Sequence, residues 1–313
     1  MVGPLATRAL WGLATLVGAV TGMFGLMVLA PGDPIDLLPN AEAVRPVLAA
    51  EWALDQPAPV RLGRWWGRLL SGELGVSLSY RPGMPVAELV WAAATPTALR
   101  VLGALATVLA LGTALAWHTS RGERGPSRAV AQATSLVPLF LAVHAVVASL
   151  NGGAFALMEA GWIDRPGWFA LPDQASLLRT TTSVLLLAVA SGSLAEVHAD
   201  LEVALAELRR SPFVVAARAR GESTTALLLR HLLPRLCTVA AGRLAMLLGG
   251  AIVVEKLMLL PGAGAMLWNA ALVRDYELVL GLSFVAAAAV VLGRFLSDAA
   301  RLFLDPRWRE VTG

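Results

Sequence analysis

The stretch Val101–Ser120, VLGALATVLALGTALAWHTS, holds no Asp, Glu, Lys or Arg and lies between Arg100 and Arg121. As an α-helix rising 1.5 Å per residue it is about 30 Å long, the thickness of a bilayer's hydrocarbon core. Arg8 to Asp33 and Arg128 to Glu159 enclose charge-free runs at least as long. The whole chain is 57% hydrophobic and 15% charged, with a mean hydropathy of +0.68. Soluble domains carry about a quarter charged residues. Here too little polar surface remains for water, and the expectation is an all-α membrane protein.

About six spans are predicted, over 9–30, 99–118, 128–150, 176–197, 236–259 and 278–303. The fourth is the weakest, since only Thr180 to Ala195 is uncharged, and Arg243 and Arg294 interrupt the last two. The first run exceeds a signal-peptide core and ends in Pro31-Gly32-Asp33-Pro34 instead of a small-residue cleavage site, so it is read as a retained helix. Arginines set the orientation. With the N-terminus inside, cytoplasmic segments carry thirteen arginines, six of them from Arg209 to Arg235. The short outer loops carry three, Arg165, Arg179 and Arg274. Both termini are expected in the cytoplasm, and 1–313 is expected to be a single transmembrane domain. The slight basic excess, 25 Lys+Arg against 22 Asp+Glu, fits this topology and gives no reason to expect nucleic acid as a partner.

The long outer segment, 31–98, is not a featureless linker. Arg61, Arg64 and Arg68 recur at helical spacing, with Leu62, Trp65, Trp66, Leu69 and Leu70 between them. This predicts a short helix at the membrane interface. Its indoles would serve as headgroup-depth anchors or as contacts for an extracytoplasmic partner.

Enzymatic chemistry is not expected. Lys256, the only lysine, stands in Val254-Glu255-Lys256-Leu257, so no phosphate-cradling Gly-Lys-Ser/Thr loop exists. His118, His144, His198 and His231 form no metal-ligand pair, and Cys237 alone makes no disulfide framework or cysteine metal site. Catalytic and metal residues are therefore expected to be absent, and energy for uphill transport would come from elsewhere.

The most informative stretch lies in the cytoplasmic segment 199–235. From Arg209 it reads Arg-Arg-Ser-Pro-Phe-Val-Val-Ala-Ala-Arg-Ala-Arg-Gly-Glu-Ser, and Leu227 to Pro234 follows shortly after. Ser211 is placed to cap a helix with Pro212 in its first turn. Ala216, Ala217 and Ala219 give that helix a small face, Arg218 and Arg220 stay at its rim, and Gly221 ends it. A second amphipathic helix is expected to lead to Pro234. These features suit a docking helix, or an ordinary positively charged inside loop.

The same segment resembles the coupling (EAA) motif of ABC importer permeases: Glu-Ala-Ala, three residues, Gly, nine residues, then Ile-x-Leu-Pro. Val215, Ala216, Ala217, Gly221, Leu233 and Pro234 stand at that spacing, with Val215 in place of Glu and His231 in place of Ile. It is most similar to the dipeptide/oligopeptide/nickel permease group, where Phe213, Ala217, Arg218, Ala219, Arg220 and Gly221 occupy equivalent places. Further strings resemble that group in order along the chain. They are Ala30-Pro31-Gly32-Asp33-Pro34, Leu54-Asp55-Gln56-Pro57, Ser71 to Ser77, Gly249 to Glu255, Leu260 to Gly264, Arg274-Asp275-Tyr276 and Leu304-Asp305-Pro306-Arg307. Residues 139–200 match poorly.

The resemblance implies a type I ABC importer permease in the bacterial plasma (inner) membrane, taking di- or oligopeptides or, as a variant, nickel or a metal chelate. It implies no cofactor in this chain, with ATP and Mg bound by cytoplasmic ATP-binding subunits. A second, different permease and an extracytoplasmic solute-binding protein complete the implied assembly. Residues 212–222 would enter a groove on the ATPase, with Ala216, Ala217 and Gly221 at the contact.

Arg243, Gly249, Gly250 and Glu255 are the pathway or gate candidates. An ionisable residue inside a span is a functional candidate, although Arg243 could also snorkel toward Arg235. Glu255 and Lys256 are expected near the outer end of the fifth span. Gly242, Gly249 and Gly250 are expected to permit close helix contact. Asp298, between Arg294 and Arg301, has the spacing of a structural ion-pair trio. A stand-alone secondary transporter or a membrane scaffold are the rival classes.

Overall fold

In lipid every backbone N–H and C=O must find its partner within the segment, so apolar runs of this length fold as helices. The computed structural model describes residues 2–37, 40–122, 124–162 and 176–304. The helices are α1 (Val2–Leu29), α2 (Ala41–Glu51), α3 (Ala58–Leu70), α4 (Val86–Ser120), α5 (Arg124–Ala133), α6 (Leu139–Glu159), α7 (Ser176–Ala190), α8 (Ser193–Arg210), α9 (Pro212–Ala219), α10 (Thr224–Leu257), α11 (Ala263–Leu272) and α12 (Tyr276–Leu304). A 3-10 turn, Pro34–Leu37, precedes α2. Among the described residues there is no β-strand, only an antiparallel bridge between Val76 and Pro85.

Among the described residues five helices are long and apolar enough to cross a membrane, or six spans if a bent pair counts as one. That pair is the weak fourth span: Leu177–Ala190 and Ser193–Arg210 meet at 55°. Gly192, at φ +77°, makes the turn between them in a conformation that other residues enter at a cost. The third span is shorter than expected. It begins at Leu139, not 128, because α5 ends at Ala133. There Thr134 and Ser135 hydroxyls turn back to the Ala131 and Gln132 carbonyls at 2.7 and 2.8 Å, and Pro138 can only start the next helix. The expected separate helix before Pro234 is instead the first part of α10, which runs unbroken through that proline. The string from Asp305, and residues 163–174 with Arg165, lie outside the described residues.

The chain divides into two compact units. One comprises Ala98–Leu260 with both chain ends. Its core draws Val108 from α4, Leu187 from α7, Leu201 from α8, and Leu232 and Leu247 from α10. Close helix contact is made at Gly112, where a Cβ would stand 2.6 Å from Val197 Cγ1 and 3.5 Å from the His198 backbone nitrogen. A branched side chain there must push α4 from α8, an overpacking that costs about 1–3 kcal/mol. Gly112→Val should therefore lower the thermal midpoint in detergent, whereas Gly249→Val, with no atom within 4 Å of its Cβ, should not. Equal melting of the two variants would contradict this packing.

The other unit comprises Ala6–Thr97 and Pro261–Leu292, and three of the separated motif strings converge in it. Asp275, fully buried, accepts hydrogen bonds from Ser77 Oγ (2.5 Å), Ser79 N (3.1 Å) and Tyr80 N (3.0 Å). Its other oxygen caps α12 through Leu278 N at 3.1 Å. Next to it, Arg274 Nη1 reaches the Asp33 carbonyl at 3.4 Å. Asp33 also binds Arg45 Nη1 at 2.7 Å. Burial alone would raise the Asp33 carboxyl, but Arg45 and the backbone N–H groups of Asp36 and Ile35 outweigh it and hold it below the ordinary 3.8. Asp275→Ala would orphan four donors around a buried site and is expected to destabilise by about 3–5 kcal/mol. Loss of folded protein or a large drop in melting temperature is the readout, and wild-type melting would refute the role.

The predicted helix with Arg61, Arg64 and Arg68 is α3, but Trp65 is not a headgroup anchor. It is 2% exposed and packs with Val20, Phe24 and Leu280. Its ring meets Trp66 and Phe284 edge-on, at 5.3 and 6.2 Å between centroids. Leu62, Trp65, Trp66 and Leu69 form an i, i+3, i+4, i+7 stripe, which a helix buries whenever other helices are available. Arg68 binds Glu277 at 2.5 Å, and the Arg61 guanidinium lies 4.7 Å from the Tyr276 ring. Arg61, Arg64 and Arg68, with Glu51, Glu73 and Glu277, line a cavity of about 800 Å³ in this unit.

Candidate functional site

The segment that stood out in the sequence folds as a short helix held between two long ones. α9 is eight residues, Pro212–Ala219, and packs on both α8 and α10. Pro212 takes its first position, where the missing N–H costs nothing. Ser211 does not cap it. The Ser211 hydroxyl donates backward to the Leu208 carbonyl at 2.5 Å, joining the Ser211 N–H, which closes the last turn of α8 on the same oxygen at 3.1 Å. At the other end Glu222 N donates to Ala217 O and Gly221 N to Arg218 O, both at 3.0 Å. This pair of bonds is a Schellman stop, and it requires the left-handed conformation that Gly221 adopts at φ +76°.

The faces of α9 are distinct. Val214 and Ala217, one turn apart, are buried at 0% and 2% exposure. Phe213 stacks on His231 of α10 with centroids 4.8 Å apart. Ala217, expected at a partner's surface, is thus committed to the chain's own core. Val215, Ala216, Arg218, Ala219, Arg220 and Gly221 are exposed, and no atom lies within 4 Å of where a Gly221 Cβ would be. Just past the stop, Arg220 Nε binds Glu222 at 2.6 Å, and this hydrogen bond holds the Glu222 carboxyl below its usual value. The result is a rigid, small-surfaced helix with a cationic rim.

α8 and α10, which hold α9, are tied by charge. Arg243 pairs with Glu196 and, at 3.5 Å, with Asp200, which Arg235 also approaches at 3.6 Å. Arg243 is therefore neutralised on α8 rather than snorkelling alone. Glu255 stands in the last turn of α10, but it is not an interfacial group. It is fully buried and binds Arg100 of α4 at 2.7 Å. Gly250 touches closely, with a Cβ position 2.7 Å from Leu187 and 3.2 Å from Leu139, whereas Gly242 and Gly249 face no neighbour within 4 Å. Among the described residues no group of three His, Cys, Asp or Glu is arranged to hold a metal.

Three residues were given no structural role from the sequence: Arg100, named only as the edge of a span, Asp275, named only within a motif string, and Gly112. Only Asp275 carries a local signal, as a capping residue immediately before an apolar run. Arg100 had the look of a span's edge, and Gly112 was one glycine among many.

Comparison with known proteins agrees with this architecture. The family described as binding-protein-dependent transport system inner membrane component matches residues 106–310, which include α9 and the helices around it. The chain is 26% identical to the oligopeptide transport system permease protein AppB of Bacillus subtilis over 317 residues, covering 98% of this chain and 99% of that one. It is 28% identical to the oligopeptide transport system permease protein OppB of Haemophilus influenzae over 316 residues, covering 96% and 97%. A multi-pass membrane chain matched over most of its spans, this protein belongs to the family of binding-protein-dependent transport inner membrane components.

Proposed function

We propose that this chain is the pathway-forming permease of an ATP-driven importer that receives di- or oligopeptides from a solute-binding protein. The observation that supports it most is α9: a helix fixed by Pro212, Val214 and Ala217, stopped by Gly221, and presenting an exposed small face. Such a helix transmits a push because it is packed on both neighbours and has little slack. In this reading Val215, Ala216, Ala219 and Gly221 meet a cytoplasmic ATP-binding subunit, while Phe213 and Ala217 carry the motion into α10 and α8. Hydrolysis of ATP, with its Mg, belongs to that subunit.

Residues 1–313 would act as one permease domain beside a second, different permease, with both termini cytoplasmic in a bacterial plasma membrane. Segment 31–98 would then face outward, and the arginine-lined cavity by α3 is where the solute-binding protein would make contact. Glu255 and Arg243 would set helix positions along the pathway, and Gly249, free of neighbours in this chain, would face the pathway or the second permease.

The test uses the fact that Cys237 is the only cysteine. In a Cys237→Ser background, cysteines at Val215 or Ala216 should cross-link to a co-expressed ATP-binding subunit with a short bifunctional reagent. A cysteine at Val214, buried in the chain, should not. Equal labelling at all three positions, or none, would refute the docking assignment.

A further inference from the structure

Outside α9, the larger unit carries a second feature that peptide import does not use. An open slot of about 590 Å³ lies between α4 and α10. Its walls are largely apolar, with Leu109, Ala110, Ala114, Leu229 and Leu236, and at one end stand Trp117 and Arg121. Leu109 and Arg121 are twelve positions apart, so the slot follows α4 for about 18 Å. One leaflet of a 30 Å hydrocarbon core is about 15 Å deep, so the slot has the length of an acyl chain with a headgroup at its end.

The polar end is cationic. The Arg121 guanidinium lies 5.3 Å from the centroid of the Trp117 ring, and that of Arg209 lies 5.0 Å from the same centroid. Arg209 Nε donates to Ser120 Oγ at 3.1 Å, but its buried Nη2 has no hydrogen-bond partner. Among the described residues no carboxylate pairs with either arginine within 4.0 Å. Two guanidiniums against one indole concentrate positive charge at this end of the slot, and the fork of N–H donors on Arg121, which lines it, matches phosphate oxygens. A tryptophan beside them is the side chain that settles at headgroup depth.

We infer that this slot binds an anionic phospholipid, its phosphate held by Arg121, with the Arg209 charge behind Trp117 adding to the attraction, and one acyl chain lying along Leu109, Ala114 and Leu236. A free anion would use the arginines and leave the apolar slot empty. An apolar protein helix would fill the slot and leave the arginines without a counter-charge. Only a lipid satisfies both ends. The site lies at the arginine-rich end of the bundle, where Ser120 and Arg209 tie α4 to α8 just before α9, so the lipid would brace the base of the docking helix.

The experiment is native mass spectrometry of the full chain in detergent, supplied with phosphatidylglycerol or, separately, phosphatidylcholine. Wild type should retain phosphatidylglycerol in preference to phosphatidylcholine. The double variant R121Q/R209Q should lower phosphatidylglycerol retention by about tenfold, while R121K/R209K should keep part of it. Ala114→Phe, at an exposed position, blocks the slot without touching charge and should lower retention as much. If Ala114→Phe retains the lipid and inorganic phosphate displaces it, the site recognises a free headgroup anion and the inference fails. It also fails if all variants retain phosphatidylglycerol equally. Loss of a co-expressed second permease from Ala114→Phe, with lipid retention unchanged, would make the slot a protein interface and overturn it too.

Discussion

Gly221→Asp is expected to leave the chain folded and inserted, while ATP-dependent uptake falls by well over an order of magnitude. The substitution meets nothing inside the chain, since no atom lies within 4 Å of the Cβ position, and Asp tolerates left-handed backbone better than most residues. Its effect falls on the partner. A carboxylate desolvated at a protein contact without a counter-charge costs on the order of 2–5 kcal/mol. At 1.4 kcal/mol per factor of ten, docking weakens about 30-fold or more. ATP hydrolysis by the partner should continue, uncoupled from uptake. Gly221→Ala separates the causes, because it adds the backbone penalty of about 1 kcal/mol without charge and should transport nearly as well as wild type. Normal uptake by Gly221→Asp would remove α9 from the contact.

The second large effect is expected at Glu255. Its carboxylate is fully buried and Arg100 is 5% exposed, so Glu255→Leu takes the counter-charge from a buried guanidinium at a cost of about 3–5 kcal/mol. Low yield and early unfolding in detergent are the expected result. The double variant Arg100→Met/Glu255→Leu replaces the pair with apolar groups of similar volume and should recover most of that stability. Uptake then tells what the pair is for. If it only positions α4 against α10, the double variant transports. If Glu255 touches the solute, the double variant folds but stays inactive. Wild-type stability of Glu255→Leu alone would contradict the buried pairing.

Spans were legible wherever charge was absent over a bilayer's thickness, because hydropathy alone decides that partition. Boundaries were less so. α5 and α6 share one uncharged run, and only Pro138 with its Thr134 and Ser135 neighbours marks the break. The docking helix was readable in its end signals, Pro212 and Gly221, which act locally. Ser211 was misread because a hydroxyl between two helices can serve either one. Pairings such as Arg100 with Glu255, or Ser77 with Asp275, span 155 and 198 positions, and no spacing rule reaches that far. Likewise helices that are apolar all round hide which glycine meets a neighbour, so Gly112 and Gly249 look alike until their neighbours are known. Trp65 illustrates the same limit from the other side: an indole beside arginines reads as an interface anchor unless α1 and α12 are seen to cover it.

The central claim is best tested by rebuilding transport from purified parts. This chain, a co-expressed second permease and ATP-binding subunits would be reconstituted in proteoliposomes loaded with ATP and Mg, with a labelled oligopeptide and its binding protein outside. Uptake that requires ATP, the binding protein and an intact α9 is the expected result. Peptide accumulation by this chain alone under an ion gradient, or no uptake by an intact and ATP-hydrolysing complex, would contradict it.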